Sequence, residues 1–188
     1  MPTPENYAKR VKMRFDADSA TVLKLYPGAT EDEVIRSATA LGSDSFIAYA
    51  TWKWAEMQAA TGDKPVYRYL FSTPRPQSPD AIAFNSKNKM PPTMVGASHA
   101  SEIEFALGNL ASDKVFPWTQ DDYKVSATME NYFANFIKTG DPNGAGLPKW
   151  TPNTKGSPVM FMNIDVNTQL QPETLRARYL FLDQFYNK

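Results

Sequence analysis

Only two stretches of this chain have the composition of a β-strand, although the chain carries the signals of many helices. Residues 66–71 are rich in β-branched and aromatic side chains and lie between two prolines, which predicts a short buried strand. The stretch SPVMFMNID at 157–165 predicts a second strand, and NTQLQP at 167–172 fits either a hairpin edge or a turn. Two strands form only a marginal sheet unless others join them. We therefore expect the chain to be part of a larger fold.

The first helix is predicted from a cap and from the spacing of its apolar residues. Thr3 suits the N-cap position, and Pro4 suits the first helical position. The apolar residues that follow recur at helical intervals and are predicted to face inward; they are Tyr7, Val11 and Phe15.

Two helices are predicted to follow one another in the first third of the chain. The stretch TEDEVIRSATALG at 30–42 predicts a helix that opens with a capping box and closes at Gly42. A new cap at Ser43 or Asp44 is then expected to start the longest helix, which Gly62 ends. The inward stripe of this second helix is predicted to consist of Phe46, Ile47, Ala50, Trp54 and Met57.

Two more helices and one long loop are predicted in the remainder. KVSATMENYFANFIKTG at 124–140 predicts an amphipathic helix that Gly140 ends, with inward residues Met129, Tyr132, Phe133, Phe136 and Ile137. The C-terminal stretch at 172–188 predicts a helix with one apolar side, formed by Leu175, Tyr179, Leu182 and Phe185 or Tyr186. Residues 73–98 are proline-rich and polar, which predicts a long loop, and such loops often carry function.

Composition and charge exclude several classes of function. The chain has no cysteine, which excludes a thiolate nucleophile, a zinc site with cysteine ligands and disulfides. Its one histidine excludes a His-rich metal site. We also expect no cofactor. The 20 basic and 20 acidic residues cancel, which argues against nucleic acid or an anionic membrane as a partner. No apolar stretch reaches the roughly 18 residues of a membrane helix, and residues 1–12 lack the apolar core of a signal peptide.

The common catalytic motifs are absent from the sequence. It contains no Walker-type phosphate loop, no GxGxxG fingerprint and no GxSxG nucleophile elbow. NGAGLP at 143–148 follows no predicted strand and is best interpreted as a surface turn. A glycosidase needs two facing carboxylates, and Glu102 with Glu104, or Asp121 with Asp122, support such a pair only weakly.

The single histidine, His99, lies in a loop of small residues, GASHASEIEFALGNL at 96–110. Imidazole exchanges a proton near neutral pH, so His99 is a candidate general base. A histidine base also needs a nucleophile and an orienting acid. Ser98 and Ser101 are too near in the backbone to present a hydroxyl to the same ring productively. From its position alone, His99 is either a catalytic residue or an ordinary loop residue.

Two motifs give the chain a resemblance to a known family. GASHASEIEFALGNL resembles the histidine motif of the type B carboxylesterases, the cholinesterase-like branch of the α/β-hydrolases. MENYFANFIKTGDPNGAGLPKW at 129–150 is similar to the family's second hallmark, an aromatic helix followed by Thr-Gly-Asp-Pro-Asn and Leu-Pro-x-Trp. KPVYRYLF at 64–71 is similar to the strand that leads toward the histidine. The resemblance covers nearly the whole chain, with one departure at Ala100, where the family usually has Gly.

The resemblance implies an α/β fold class, in which residues 1–188 are the C-terminal segment of an α/β-hydrolase domain, helix-rich and holding the last few strands of the parent sheet. In that fold the triad follows the order serine, acid, histidine. The chain then carries only the histidine, and the other two members lie upstream. His99 becomes the general base and Glu102 a supporting residue beside it, whereas Glu104 is either a weaker support or a solvated or helix-dipole residue.

The implied function is hydrolysis of a small-molecule carboxylic ester by a triad of Ser, Glu or Asp, and His. We expect the isolated chain to be inactive, because the nucleophile and the acid are absent from it. The alternative is a non-catalytic protein-interaction module derived from a cholinesterase-like domain. In both cases the parent sheet continues past these strands, so we expect self-association, or the missing N-terminal part, to cover the exposed sheet edge.

Overall fold

The computed structural model describes residues 2–88, 96–156 and 158–188. The chain divides into two compact units. The first comprises the residues up to Gly62 together with 174–188 and is built of helices, and the second comprises residues 63–173 and holds the sheet. Among the helices of the described ranges, none is long and apolar enough to cross a membrane.

Eight α-helices and three β-strands lie within the described ranges. In chain order they are α1 Pro4–Phe15, α2 Ser19–Leu25, α3 Glu31–Ser43, α4 Tyr49–Thr61, β1 Tyr69–Phe71, α5 Pro79–Lys87, α6 Ile103–Ala106, α7 Gln120–Thr139, β2 Met160–Ile164, β3 Gln169–Pro172 and α8 Arg176–Tyr186. The first helix confirms the prediction made for it, because the Thr3 hydroxyl accepts a 3.3 Å hydrogen bond from the Asn6 N–H. Its predicted inward residues are all buried; they are Tyr7, Val11 and Phe15.

The predicted helix end at Gly42 is wrong. α3 continues through Gly42, and one π-helical turn, Asp44–Ala48, joins it to α4. The cause is a tertiary contact, since Asp44 is buried and its carboxylate accepts a 2.9 Å hydrogen bond from the Tyr26 hydroxyl. A side chain held in this way cannot cap a new helix from the solvent side. Gly62 ends α4 as predicted, with its N–H bonded to the last turn.

The inward face of α4 is also different from the predicted one. Trp52 is 4% exposed and stacks on Tyr179 of α8, with the ring centroids 5.4 Å apart. The predicted stripe faces away from this contact, and Phe46 and Trp54 are 69% and 74% exposed. The stacking of Trp52 on Tyr179 determines which face of α4 is buried. Local periodicity does not reveal this face, because α8 is remote in sequence. We call the exposed set the α4 stripe; it comprises Phe46, Ile47, Ala50, Trp54 and Met57.

The C-terminal helix confirms most of its predicted apolar side. Tyr179 and Leu182 of α8 are buried. Phe185 packs on Phe15, with ring centroids 4.9 Å apart, whereas Tyr186 is 45% exposed. Of the two alternatives for the last inward position, the structure therefore selects Phe185.

The second unit is organised by a small mixed sheet. β1 pairs with β2 in parallel, β2 pairs with β3 antiparallel, and the order β1-β2-β3 leaves β1 at one edge. This confirms the helix-rich α/β fold class and the hairpin edge formed by β3. The first strand is shorter than predicted and is not buried along its length: Tyr69 and Leu70 are 41% and 50% exposed, and only Phe71 is buried.

The prediction of one long loop over residues 73–98 is partly wrong, because α5 lies within it. The Ser78 hydroxyl accepts a 3.2 Å hydrogen bond from the Ala81 N–H, and Pro79 occupies the start of the helix. Proline at that position favours a helix rather than breaking it. The part of the predicted loop at 89–95 lies outside the described residues.

The longest helix, α7, has a well-defined start and end. At its start, the Thr119 hydroxyl accepts a 3.3 Å hydrogen bond from the Asp122 N–H, and the Asp122 carboxylate accepts one of 2.7 Å from the Thr119 N–H. Gly140 follows the last turn with φ of 77°, the left-handed conformation in which glycine is unstrained. The stop at Gly140 confirms the prediction, whereas the start does not: the sequence predicts a helix over 124–140, and the structure begins it at Gln120 with Thr119 as the cap.

The inward face of α7 confirms only part of its prediction. Met129 and Tyr132 are fully buried, whereas Phe136 and Ile137 are 48% and 81% exposed. The last two help to line an open apolar groove of about 260 Å³. We call it the aromatic groove; its lining residues are Tyr67, Tyr69, Tyr132, Phe133, Phe136, Ile137, Pro142 and Trp150.

Candidate functional site

His99 lies in a tight turn of the second unit, just before α6. The Ser101 N–H and the Ser101 hydroxyl both donate to the carbonyl oxygen of Ser98, at 3.1 and 2.7 Å. Ser101 is fully buried, whereas the His99 side chain is exposed. The turn, residues 98–101, is called the His99 turn below. Its hydrogen bonds fix the backbone and leave the imidazole at the surface.

Ala100 adopts a conformation that is uncommon for a residue with a side chain. Its φ is 65°, in the left-handed region, where a Cβ approaches the following carbonyl oxygen. Glycine has no such penalty, which gives a physical reason for the glycine that the family motif usually has here. The methyl group of Ala100 therefore adds strain to the residue directly after His99.

The helix that follows the His99 turn is anchored in the core of the second unit. Phe105 of α6 is fully buried, and its ring lies 5.0 Å from that of Phe71 in β1 and 5.5 Å from that of Trp118. The Ser126 hydroxyl of α7 donates a buried 2.8 Å hydrogen bond to the Phe105 carbonyl oxygen. A rigid support of this kind positions an exposed side chain more precisely than a mobile loop does.

The two glutamates that follow His99 have different surroundings. Glu104 accepts a 2.6 Å hydrogen bond from Arg75 Nε, in an ion pair whose side chains are 28% (Arg75) and 18% (Glu104) exposed. It is therefore not a solvated residue. Glu102 is half-buried, and its charge lies close enough to Tyr69 to add to burial in raising the pKa of the Tyr69 hydroxyl. Its support of His99 stays a prediction.

A second group of polar side chains lies where β1 and β2 end, and the sequence analysis did not single it out. The Ser72 hydroxyl lies 2.9 Å from Asn163 Oδ1 and 3.3 Å from Asp165 Oδ2, and the Asn163 amide donates to Asp165 at 2.6 Å. The sequence signal that could have found this group is polar residues directly after two strands, because the carboxyl ends of parallel strands share one edge of the sheet. The group is internally hydrogen-bonded, which suits a structural role.

The arrangement offers one proton-exchanging group at the surface, His99, on a turn tied to the sheet and to α7. An imidazole so placed can take a proton from a hydroxyl and return it to a leaving group. Within the described ranges, no three His, Asp or Glu side chains come together as metal ligands.

Comparison with known proteins gives a consistent result. The profile of the carboxylesterase family matches residues 5–182. Carboxylesterase 5A of Felis catus is 35% identical over 107 residues, which are 55% of this chain and 18% of that protein. Cocaine esterase of Homo sapiens is 30% identical over 146 residues, 78% of this chain and 23% of that protein. Acetylcholinesterase of Gallus gallus is 30% identical over 142 residues, 73% of this chain and 17% of that protein.

This chain spans about a fifth of the length of these three relatives. The profile match covers both motifs that carried the resemblance, the histidine motif at 96–110 and the helix-and-turn motif at 129–150. It also covers all three strands and most of the helical residues of the first unit. The resemblance to cholinesterase-like carboxylesterases is therefore confirmed: the chain belongs to the carboxylesterase family.

Proposed function

We propose that this chain supplies the general base, His99, for the hydrolysis of a small-molecule carboxylic ester. The nucleophilic serine and the orienting Glu or Asp come from the upstream part of the family's catalytic domain. The observation that carries the proposal is the His99 turn, which occurs in a carboxylesterase-family chain and presents its single imidazole at the surface.

In the proposed mechanism, His99 takes the proton of the serine hydroxyl as that oxygen attacks the ester carbonyl carbon. The tetrahedral intermediate collapses, and His99 gives the proton to the departing alkoxide, which leaves as the alcohol. His99 then takes a proton from water, which attacks the acyl-enzyme, and returns it to the serine oxygen as the carboxylic acid leaves. The acid holds the second ring nitrogen and fixes the tautomer.

The isolated chain has no esterase activity under this proposal. A histidine without a positioned nucleophile lacks both the covalent route and the oxyanion stabilisation that provide most of the rate enhancement. The direct check is turnover of a nitrophenyl ester by the purified chain, compared with His99→Ala. Turnover that disappears in His99→Ala contradicts the predicted inactivity.

The general-base role is tested in a chimaera. This chain replaces the matching region of a carboxylesterase relative, such as human cocaine esterase, which supplies the serine and the acid. We expect the chimaera to hydrolyse a nitrophenyl ester and His99→Ala in the same chimaera to lose activity by roughly 10³-fold or more. A folded chimaera without activity, or one in which His99→Ala is equally active, contradicts the proposal.

Two exposed features support the proposal that another polypeptide covers part of this chain. The first is the α4 stripe in the first unit, and the second is the edge strand β1 with the adjoining aromatic groove in the second unit. Exposed apolar surface and strand edges favour association. We propose that the upstream part of the domain covers them and that the isolated chain self-associates.

The same surfaces also favour the second candidate function, a non-catalytic interaction module. The chimaera separates the two, because an interaction module needs no proton transfer by His99. Binding of a partner that survives His99→Ala, together with an inactive chimaera, would favour the module. An active chimaera that depends on His99 favours the esterase.

A further inference from the structure

His99 lies in the part of the chain between β1 and α6. Arg75 lies four residues beyond Phe71, the last residue of β1, and Glu104 lies in α6. The two residues are 29 positions apart in sequence, and their side chains meet at 2.6 Å. The ion pair therefore joins the chain just after β1 to α6. His99 lies five residues before Glu104.

The environment of Arg75 makes this ion pair stronger than an ordinary surface pair. Both side chains are mostly shielded from solvent, so water and salt screen the attraction less. The Arg75 guanidinium also lies 4.8 Å from the centre of the Phe116 ring. Phe116 contacts Trp118, which packs edge-on against Phe105 of α6. Arg75 is thus held by a carboxylate on one side and by an aromatic ring on the other.

The backbone between Glu104 and His99 transmits this restraint. The Ser101 N–H donates to Ser98, the Ile103 N–H donates to Ala100, and the Ala106 N–H donates to Glu102. These overlapping hydrogen bonds link the His99 turn to the first turn of α6 without a break. A side chain that fixes Glu104 therefore also limits rotation of the His99 turn relative to β1.

We propose that Arg75 is a positioning residue for His99: its ion pair with Glu104 sets the orientation of the His99 turn on the second unit. The claim that this orientation serves ester hydrolysis rests on the proposed function. The claim that Arg75 sets the orientation does not. Glu104 is then the supporting glutamate that acts through the backbone. Arg75 lies far from His99 in sequence, so sequence reasoning did not connect them.

Because the chain has one histidine, its imidazole Hε1 proton gives a single NMR signal that reports on the His99 turn. We expect Arg75→Gln and Glu104→Gln to shift and broaden this signal. We also expect amide exchange at Ser101 and Ile103 to accelerate by about tenfold or more, as loss of a hydrogen bond between charged groups implies. In the double variant, the His99 signal and the amide exchange rates should change no more than in either single variant, since each single change already breaks the pair.

The matched control is Arg68→Gln. Arg68 pairs with Glu173 at 2.6 Å in the same unit, with side chains 16% (Arg68) and 4% (Glu173) exposed, but it precedes β1 rather than following it. Its loss should lower the stability of the unit and leave the His99 signal and the two amides unchanged. An equal effect of Arg68→Gln and Arg75→Gln on the His99 signal would overturn the proposal, because both would then act only through general stability.

The other outcomes are also decisive. Unchanged exchange and an unchanged His99 signal in Arg75→Gln and Glu104→Gln overturn the proposal. If Arg75→Gln does not fold, Glu104→Gln carries the test, and loss of the fold in both overturns a positioning role. None of these measurements uses catalysis, so an inactive chimaera contradicts the proposed function and leaves this inference standing.

Discussion

The hydroxyl of Ser101 lies 2.7 Å from the carbonyl oxygen of Ser98, and the bond spans His99 and Ala100. Ser101 is fully buried, so water does not replace this hydrogen bond when the hydroxyl is removed. We expect Ser101→Ala to lower the free energy of unfolding by about 1 kcal/mol, measured by urea denaturation. Ser112→Ala is the matched control, because Ser112 makes the same bond to the residue three positions earlier, Asn109, at 2.7 Å but is exposed. An equal loss in both variants would show that burial of the Ser101 bond is unimportant.

Replacing Ala100 with glycine is expected to stabilise the chain. The left-handed φ of 65° strains any residue with a Cβ, and glycine relieves a strain of about 1 kcal/mol. The control is Ala106→Gly in α6, where the helical backbone suits alanine and glycine should destabilise by about 0.5–1 kcal/mol. Urea denaturation of the two variants should give shifts of opposite sign. A loss of stability in Ala100→Gly would show that the methyl group makes a contact that outweighs the strain.

The stability of the first unit is expected to depend on pH through Asp44. Burial raises the pKa of the Asp44 carboxyl above its ordinary 3.8, against the lowering effects of the Tyr26 hydrogen bond and the Arg178 charge. A raised pKa in the folded state means that the contribution to stability is complete below about pH 4 and is lost as the pH rises through the folded-state value. We expect the wild type to lose stability relative to Asp44→Asn as the pH rises above about 4. Urea unfolding followed through the amide signals of α1 measures this.

Asp183 in the same unit should show the opposite dependence. Hydrogen bonds from Lys53 and Tyr49, at 3.0 and 2.8 Å, lower the pKa of its carboxyl. A lowered pKa in the folded state means that the contribution to stability is present above about pH 4 and is lost as the pH falls through the folded-state value. The advantage of the wild type over Asp183→Asn should therefore shrink below about pH 4. The same α1 amide signals serve as the measurement, and parallel curves for the wild type and Asp183→Asn would contradict the expectation.

Self-association of the isolated chain is expected to depend on the α4 stripe. Trp54, which is 74% exposed, offers the largest side chain of the stripe. Trp54→Ser should weaken association by roughly tenfold, since large aromatic residues dominate the energy of protein interfaces. Met13→Ser is the control, because Met13 is 78% exposed on α1 and lies outside the stripe. Light scattering over a concentration series measures the change, and a monomeric wild type would contradict the prediction.

Much of the fold follows from local chemistry that is legible in the sequence. Thr3 and Pro4 start α1, Gly140 ends α7, and the spacing of Tyr7 and Val11 gives a buried face. These features depend on residues within one or two turns, so pattern and capping rules suffice. The composition of 157–165 similarly predicted β2.

The errors arise where a distant contact overrides the local pattern. Tyr26 holds Asp44 inside the first unit, which keeps the chain helical past Gly42. Stacking on Tyr179 turns Trp52 inward and leaves the α4 stripe exposed. In each case the deciding partner lies at least 18 residues away and belongs to another helix or its flank, which no periodicity within the segment encodes.

The sequence by itself determined the family, the fold class and the position of the candidate base, because His99 is the one histidine and lies in a motif of fifteen residues at 96–110. Tertiary structure alone decided how that base is held. It gave Ala100 a left-handed backbone, buried the Ser101 hydroxyl and paired Glu104 with Arg75 rather than leaving it to solvent. The physical reason is that motif chemistry is local, whereas ion pairs and burial depend on which distant segments the fold brings together.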